Sequence, residues 1–303
     1  MSGATRPMWV TAQGLEHPER IRVWNALPII VIHLLVVAVV WVGFSWVALA
    51  VAASLYVVRM FVITAFYHRY FSHRTFSTSR AMQAIAGVLG TMTAQRGPLW
   101  WAAHHRDHHR HSDHDPDIHS PLRQPLGWSH IGWFLSDAGV VANRRAVPDL
   151  TRYPELRVID DWHMIGPFAL VGMMFALGWC LDRLWPGLGT SGPQMVVWGF
   201  AISTVVLYHA TFTINSLAHT WGRRRFRTDD DSRNNFWLAL LTFGEGWHNN
   251  HHYFPGTVRQ GFYWWEIDLT YYVLVAMSKV GLVWDLRRVP AHVYDVAARR
   301  AAV

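Results

Sequence analysis

Four runs of apolar residues, at about 27–44, 47–66, 165–185 and 193–214, decide what this chain can fold into. A hydrocarbon core of about 30 Å takes roughly 20 helical residues to cross, so each run is long enough to span it. Lipid offers no water to an unpaired amide, so such runs must be helices. A short turn near 43–46 separates the first two and a loop around 186–193 the last two, which predicts two helical hairpins. The expected fold is an all-α integral membrane protein. A cytosolic N-terminal segment (1–26) precedes one domain (27–290), and a tail (291–303) follows it.

Charge supplies the orientation. Of the 27 basic residues, Arg6, Arg20 and Arg22 precede the first run, 11 lie between Arg69 and Arg157, and 11 follow Asn215. The positive-inside rule then puts both termini and the central segment in the cytosol. No basic helix with interleaved aromatics stands clear of the apolar runs, so the net charge of +7 reports topology rather than nucleic-acid binding. The first 26 residues hold five charged side chains and no compact apolar stretch with a cleavage site, so no signal peptide is expected. Arginine outnumbers lysine 26 to 1 in an Ala/Val-rich chain, which suggests a GC-rich bacterial coding sequence and hence the cytoplasmic membrane.

Three features inside or beside the runs take structural readings. Arg59 is costly at membrane depth and should be paired within the bundle. GLGTSG (187–192) matches a dinucleotide fingerprint in letters only, because no strand precedes it and Pro193 follows it, so it reads as a turn. Residues 262–284 are interrupted by Glu266, Asp268 and Lys279 and predict an interfacial or packed amphipathic helix, not a fifth span.

The 19 histidines carry the chemistry. Six of them crowd into HHRDHHRHSDHD (104–115), and most of the others follow the ends of runs: HRYFSH (His68, His73), NSLAH (His219) and HNNHH (His248, His251, His252). Positions i, i+3 and i+4 share a helix face, so His105, His108 and His109 can converge, as can His248, His251 and His252. His68 and His73 are different: five steps of about 100° leave them roughly 140° apart on an ideal helix, so that pair needs a helix end or bend. Asn215 lies one turn before His219 and faces the same way. Nine imidazoles exceed what one ion takes, so two metals are the economical reading. An all-imidazole set suits iron, copper, zinc or nickel, and leaves the metal charge for carboxylates to balance; Asp107, Asp113 and Glu245 are the nearby ones. Cys180 is the only cysteine, which excludes thiolate sites within the chain. Glu245 and His248 form one ExxH, and ferritin-like carboxylate sites need two.

The ordered motifs HRYFSH, HRDHH, NSLAH and GEGWHNNHH resemble the membrane fatty-acid desaturase family, most closely its Δ9 acyl-CoA (stearoyl-CoA-type) members and their bacterial relatives. The resemblance covers about residues 27–290. It implies four spanning helices carrying a cytosolic helical cap that holds a di-iron centre. It assigns His68, His73, His105, His108, His109, His219, His248, His251 and His252 as metal ligands and Asn215 as a residue reaching one metal through water. It further implies O2-dependent introduction of a cis double bond, with Gln95, Trp101 and Thr211 at the bend of the acyl-chain tunnel. Two electrons would come from a separate donor, a ferredoxin, a rubredoxin or cytochrome b5 with its reductase, and Arg223, Arg224, Arg225 and Arg227 could dock it or anionic lipid.

The sequence also departs from the acyl-CoA pattern, with Ala103 and His104 before the second motif and Asp137 and Ala138 after SHIGW, where cations would meet a phosphate-rich carrier. The carrier thus stays open between CoA, a phospholipid and an acyl carrier protein. Two rival readings remain: a hydroxylase or ketolase built on the same ligands, and, from another class, a histidine-rich metal transporter or sensor.

Overall fold

The computed structural model describes residues 19–115 and 117–294; the first 18 residues and the tail from 295 lie outside the described part. The described residues are mostly helical, and four helices among them are long and apolar enough to cross a membrane: span 1 (Val23–Val42), span 2 (Trp46–Ser72), span 3 (Ile165–Leu184) and span 4 (Gly192–His219). Spans 2 and 4 run 6 and 5 residues past their apolar stretches, because each continues as helix into its histidine motif. Against the all-α expectation, the described residues include one short antiparallel strand pair, Ser77–Thr78 with Val283–Trp284.

Lipid is the solvent this surface suits. Trp24 and Trp41 near the two ends of span 1, Trp46 opening span 2, and Trp162 and Trp185 flanking span 3 are all more than half exposed, in the manner of an interfacial aromatic belt. The turns at one end of the bundle are tied together. Ser45 caps span 2 by accepting from the Ala48 amide and donates to Gln194 Oε1 (2.9 Å), while Gln194 Nε2 donates to the Val42 carbonyl (3.0 Å). GLGTSG is a turn, with Gly189 in the left-handed region at φ 61°. Arg59 is buried in span 2 and donates to Ser203 Oγ (2.5 Å) and Thr204 Oγ1 (2.8 Å) of span 4, the paired state its depth requires.

Residues 262–284 are helical only over Leu269–Lys279. Asp268 is the reason: its carboxylate caps that helix by accepting from the Tyr271 amide (3.0 Å), so the helix begins after it. Glu266 and Asp268 are buried in a polar network rather than lying on a surface face.

Candidate metal centre

Four chain segments bring the histidines together: the end of span 4 carries His219, and the other three are shaped for local reasons. Span 2 widens into a π-helix over Val62–Ser72. In that i→i+5 pattern the His73 amide donates to the His68 carbonyl (3.3 Å), so the two rings stand 5.0 Å apart on one side. The wide helix replaces the bend that the i, i+5 spacing demanded. Helix Pro98–His111 carries the second motif. Pro98 opens it, and the Leu99 and Trp100 amides donate to Asp160 Oδ1 (both 2.9 Å), a carboxylate at the positive end of the helix. Residue 97 must be glycine, since a Cβ there would fall 2.2 Å from that oxygen. Arg106, on the far side of HRDHH, donates to the Ser72 (2.9 Å) and Phe71 (2.8 Å) carbonyls, joining the end of the π-helix to the second motif.

The short helix His248–Tyr253 is held by its two asparagines. Asn249 Oδ1 accepts from the Arg225 (2.8 Å) and Phe226 (2.7 Å) amides, and Asn250 Nδ2 donates to the Gln260 carbonyl and to Glu266 Oε2 (both 2.9 Å). With the asparagines fixed on one side, the three histidines face the other.

The nine rings form two groups with their ligand nitrogens in common reach: His68, His73, His105, His109 and His251, and then His108, His219, His248 and His252. Nε2 atoms face one another across His68 and His251 (3.0 Å), His73 and His105 (2.8 Å), His109 and His251 (2.9 Å) and His219 and His248 (3.0 Å). His252 Nε2 is buried with no hydrogen-bond partner. A five-ring and a four-ring set of inward nitrogens fits two metal ions and no fewer.

Carboxylates fix the tautomers from behind. His108 Nδ1 donates to Asp117 (3.0 Å), His219 Nδ1 to Asp113 (2.8 Å), His252 Nδ1 to Asp230 (2.6 Å) and His68 Nδ1 to Glu245. Each bond leaves the Nε2 lone pair aimed inward. Asp113 and Glu245 were legible as neighbours; Asp117 and Asp230 were not. Asp107 does not join them: it accepts from Arg110 (2.9 Å) and Asn143 (3.4 Å).

Burial and neighbouring imidazoles hold His73, His105, His109, His248 and His251 well below the usual histidine range, and burial takes His252 down to about 4 despite Asp230. Neutral rings are what a cation requires. Burial pushes Asp113 upward, but the His219 ring outweighs it and the carboxyl rests at about 2. Burial likewise opposes ionisation of Asp117 and Asp230, and their bonds with His108, His119 and His252 leave both well below the carboxylate range.

Two small cavities adjoin the rings and share Trp101, His105, Thr211 and Asn215 in their walls. Gln95 Nε2 donates to Thr211 Oγ1 (2.8 Å), and Trp101 stacks on His105 with centroids 5.0 Å apart. The structure thus collects Gln95, Trp101, Thr211 and Asn215 at one place. His104 is buried against Trp100 (4.5 Å) and lines one cavity, rather than standing at the surface to meet a carrier; His111 and His114 lie outside both groups. His119, which sequence did not single out, lines the same cavity and bonds to Asp117 (2.5 Å).

Apolar spans ending in two buried clusters of inward imidazoles define a histidine-rich membrane protein built to take metal. The chain belongs to the fatty acid desaturase family, whose sequence profile matches residues 44–285. It is 36% identical over 202 residues to the palmitoyl-monogalactosyldiacylglycerol delta-7 desaturase of Arabidopsis thaliana, covering 65% of this chain and 50% of that one. It is 37% identical over 202 residues to the icosanoyl-CoA 5-desaturase of Limnanthes douglasii, covering 65% and 53%. It is also 36% identical over 211 residues to the sn-1 stearoyl-lipid 9-desaturase of a Synechocystis strain, covering 69% and 62%. The chain therefore spans about half the length of the first of these relatives.

Proposed function

We propose that the chain is an O2-dependent di-iron desaturase that introduces a cis double bond, Δ9 by its motifs, into a saturated acyl chain. The observation that carries this reading is the placement of five plus four buried or half-buried imidazoles beside a cavity walled by Trp101, Thr211 and Asn215. Two iron ions would be held by the nine histidines, with Asn215 placed to reach one through water, and would supply O2 activation and removal of two hydrogens. Overall, the saturated chain, O2, two electrons and two protons become the alkene and two waters. The protein's part is to orient rings through four carboxylates, while burial opposes their protonation, and to fix one C–C bond beside them. Trp101 offers a flat apolar wall, and the Gln95–Thr211 bond pins the facing wall, so the chain is bent by shape.

Positive-inside charge favours two hairpins with the histidine-bearing cap and both termini in the cytosol, in a bacterial cytoplasmic membrane. A membrane lipid suits the carrier better than CoA. Relatives named for acyl-lipid substrates accompany those named for acyl-CoA, and His104 points inward where a carrier-reading group was expected. Arg96 offers one cation near the cavity: its guanidinium lies over Trp100 (5.3 Å) and Phe134 (5.2 Å), both cavity-lining, and makes no hydrogen bond or ion pair among the described residues. For the electron donor, Arg224 and Arg225 are already paired with Asp231 and Glu266, so exposed Arg223 and Arg227 remain to meet an acidic partner.

The test is expression in a host lacking its own desaturase, with a donor supplied, followed by mass spectrometry of the fatty acids. New monounsaturated chains are expected, lost on His248→Ala while the protein still inserts. Oxygenated products would instead mean a hydroxylase or ketolase. More than two metals per chain and indifference to His248→Ala would mean a transporter or sensor.

A further inference from the structure

The two metal positions have unequal surroundings. Behind the four-histidine group stand three carboxylates, Asp117 on His108, Asp113 on His219 and Asp230 on His252. Behind the five-histidine group stands one, Glu245 on His68, and that charge is partly offset by Arg69, whose wholly buried guanidinium is shared between Glu245 (3.2 Å) and Asp268 (2.9 Å). Among the described residues no Arg or Lys pairs with the Asp113, Asp117 or Asp230 carboxylates. Their remaining lone pairs are met by neutral donors and by His119: Ser120 and the Asp231 amide for Asp113, the His119 ring with the Asp113 amide for Asp117, and Ser232 for Asp230.

We propose that Asp113, Asp117 and Asp230 are positioning residues that make the two irons unequal, so that the iron in the four-histidine position takes the ferric state first. The inference rests on the two-iron reading. Its physics is short: an imidazole that binds a metal through Nε2 and keeps its Nδ1 proton carries no charge of its own, so one additional ring at the five-histidine position adds none, whereas three carboxylates without an Arg or Lys partner sit one ring's width behind the other. Each also polarises its N–H toward imidazolate, strengthening donation from Nε2. Both effects favour the more highly charged ion in a low-dielectric interior. A symmetric pair would give up its first electron from either iron; this pair gives it up from one.

The experiment uses the full-length protein loaded with 57Fe in detergent, reduced to the diferrous state and treated with one equivalent of ferricyanide. Each ferricyanide takes one electron and becomes ferrocyanide as one Fe2+ becomes Fe3+. Mössbauer spectra of the wild type should show two ferrous doublets of equal area, with the ferric signal growing at the expense of one alone. Asp230→Asn keeps an oxygen acceptor for His252 Nδ1 and removes the charge. It should shift that same doublet and lower the preference at least tenfold, while Glu245→Gln should shift the other doublet and leave the preference in place. Should Asp230→Asn fail to hold iron, Asp113→Asn makes the same change behind His219, and the wild-type pattern stands by itself. Equal loss from both doublets in the wild type, or a preference abolished by Glu245→Gln and untouched by Asp230→Asn, would overturn the inference. Iron content separates the two readings: fewer than two irons per chain overturns both, whereas two irons oxidised without preference overturns this one only.

Discussion

Thr211→Val tests the proposed role of Thr211 at the acyl chain by removing the hydroxyl that meets Gln95 and that also donates to the Leu207 and Tyr208 carbonyls of its own helix (both 3.0 Å). Thr211 accepts from Gln95 Nε2 at 2.8 Å and lies one turn before Asn215 on span 4. Valine keeps the branched shape and removes only the oxygen, leaving the amide of Gln95, itself 3% exposed, without its partner. An unmet buried donor costs about 1–3 kcal/mol. At about 1.4 kcal/mol per factor of ten, the preference for one acyl register over its neighbours should weaken by about 5- to 150-fold. Double-bond position is read directly by mass spectrometry of derivatised monounsaturated products from cells expressing each variant. The expected result is a new isomer displaced by one or more carbons, with total product reduced less than the isomer ratio changes. An unaltered isomer ratio at normal expression would refute the idea that the Gln95–Thr211 contact fixes the bend.

Other changes test the supports. In Gly90→Ala the new Cβ would meet Tyr67 Cε1 at 1.9 Å, and Tyr67 is wholly buried beside Trp101, so overpacking should cost about 1–3 kcal/mol and lower the melting temperature in detergent. Asp160→Ala removes the acceptor for the Leu99 and Trp100 amides. A loss of about 0.5–2 kcal/mol is expected, together with weaker iron retention as the start of the HRDHH helix frays. Metal-free protein should lose stability as pH falls from about 6.5 toward 4. His252 folds with its proton affinity lowered from 6.5 to about 4, as do its buried neighbours in direction, so the unfolded chain binds more protons across that window. Unfolding midpoints against pH with and without iron check this; the iron-loaded protein should hold its midpoint to lower pH, and a flat metal-free profile would contradict it.

Spans and ligands were legible to different depths for physical reasons. Apolar length alone locates the four spans, whereas picking His105, His108 and His109 from a crowd of six takes the i, i+3, i+4 spacing together with the family's motif pattern, and the structure divides that triplet between the two groups. HRYFSH could not be placed on an ideal helix, because an α-helix separates its two histidines and only the π-helix brings them together. The supporting carboxylates split along the same line. Glu245 sits three residues before His248, whereas Asp117 and Asp230 arrive on irregular loops that carry no period. Asp107 misled by proximity: it lies two residues from both His105 and His109, and residues two apart on a helix point to different faces. Residues 262–268 misled by composition, since hydropathy does not reveal that Asp268 turns inward to cap the next helix and to meet Arg69.

The widened end of span 2 makes the residue count between membrane and metal a quantity the chain cannot change freely. Most surface helices absorb the loss of one residue by fraying at an end. Here the 11 residues of Val62–Ser72 hold their register through bonds five residues long, with every side chain in the segment buried. Deleting a single residue between 62 and 67 would let the backbone relax toward the tighter α pitch while turning His68 away from Glu245 and His251. The segment thus behaves as a length standard: substitutions along it test chemistry one side chain at a time, but an insertion or deletion of one residue re-aims the motif as a whole.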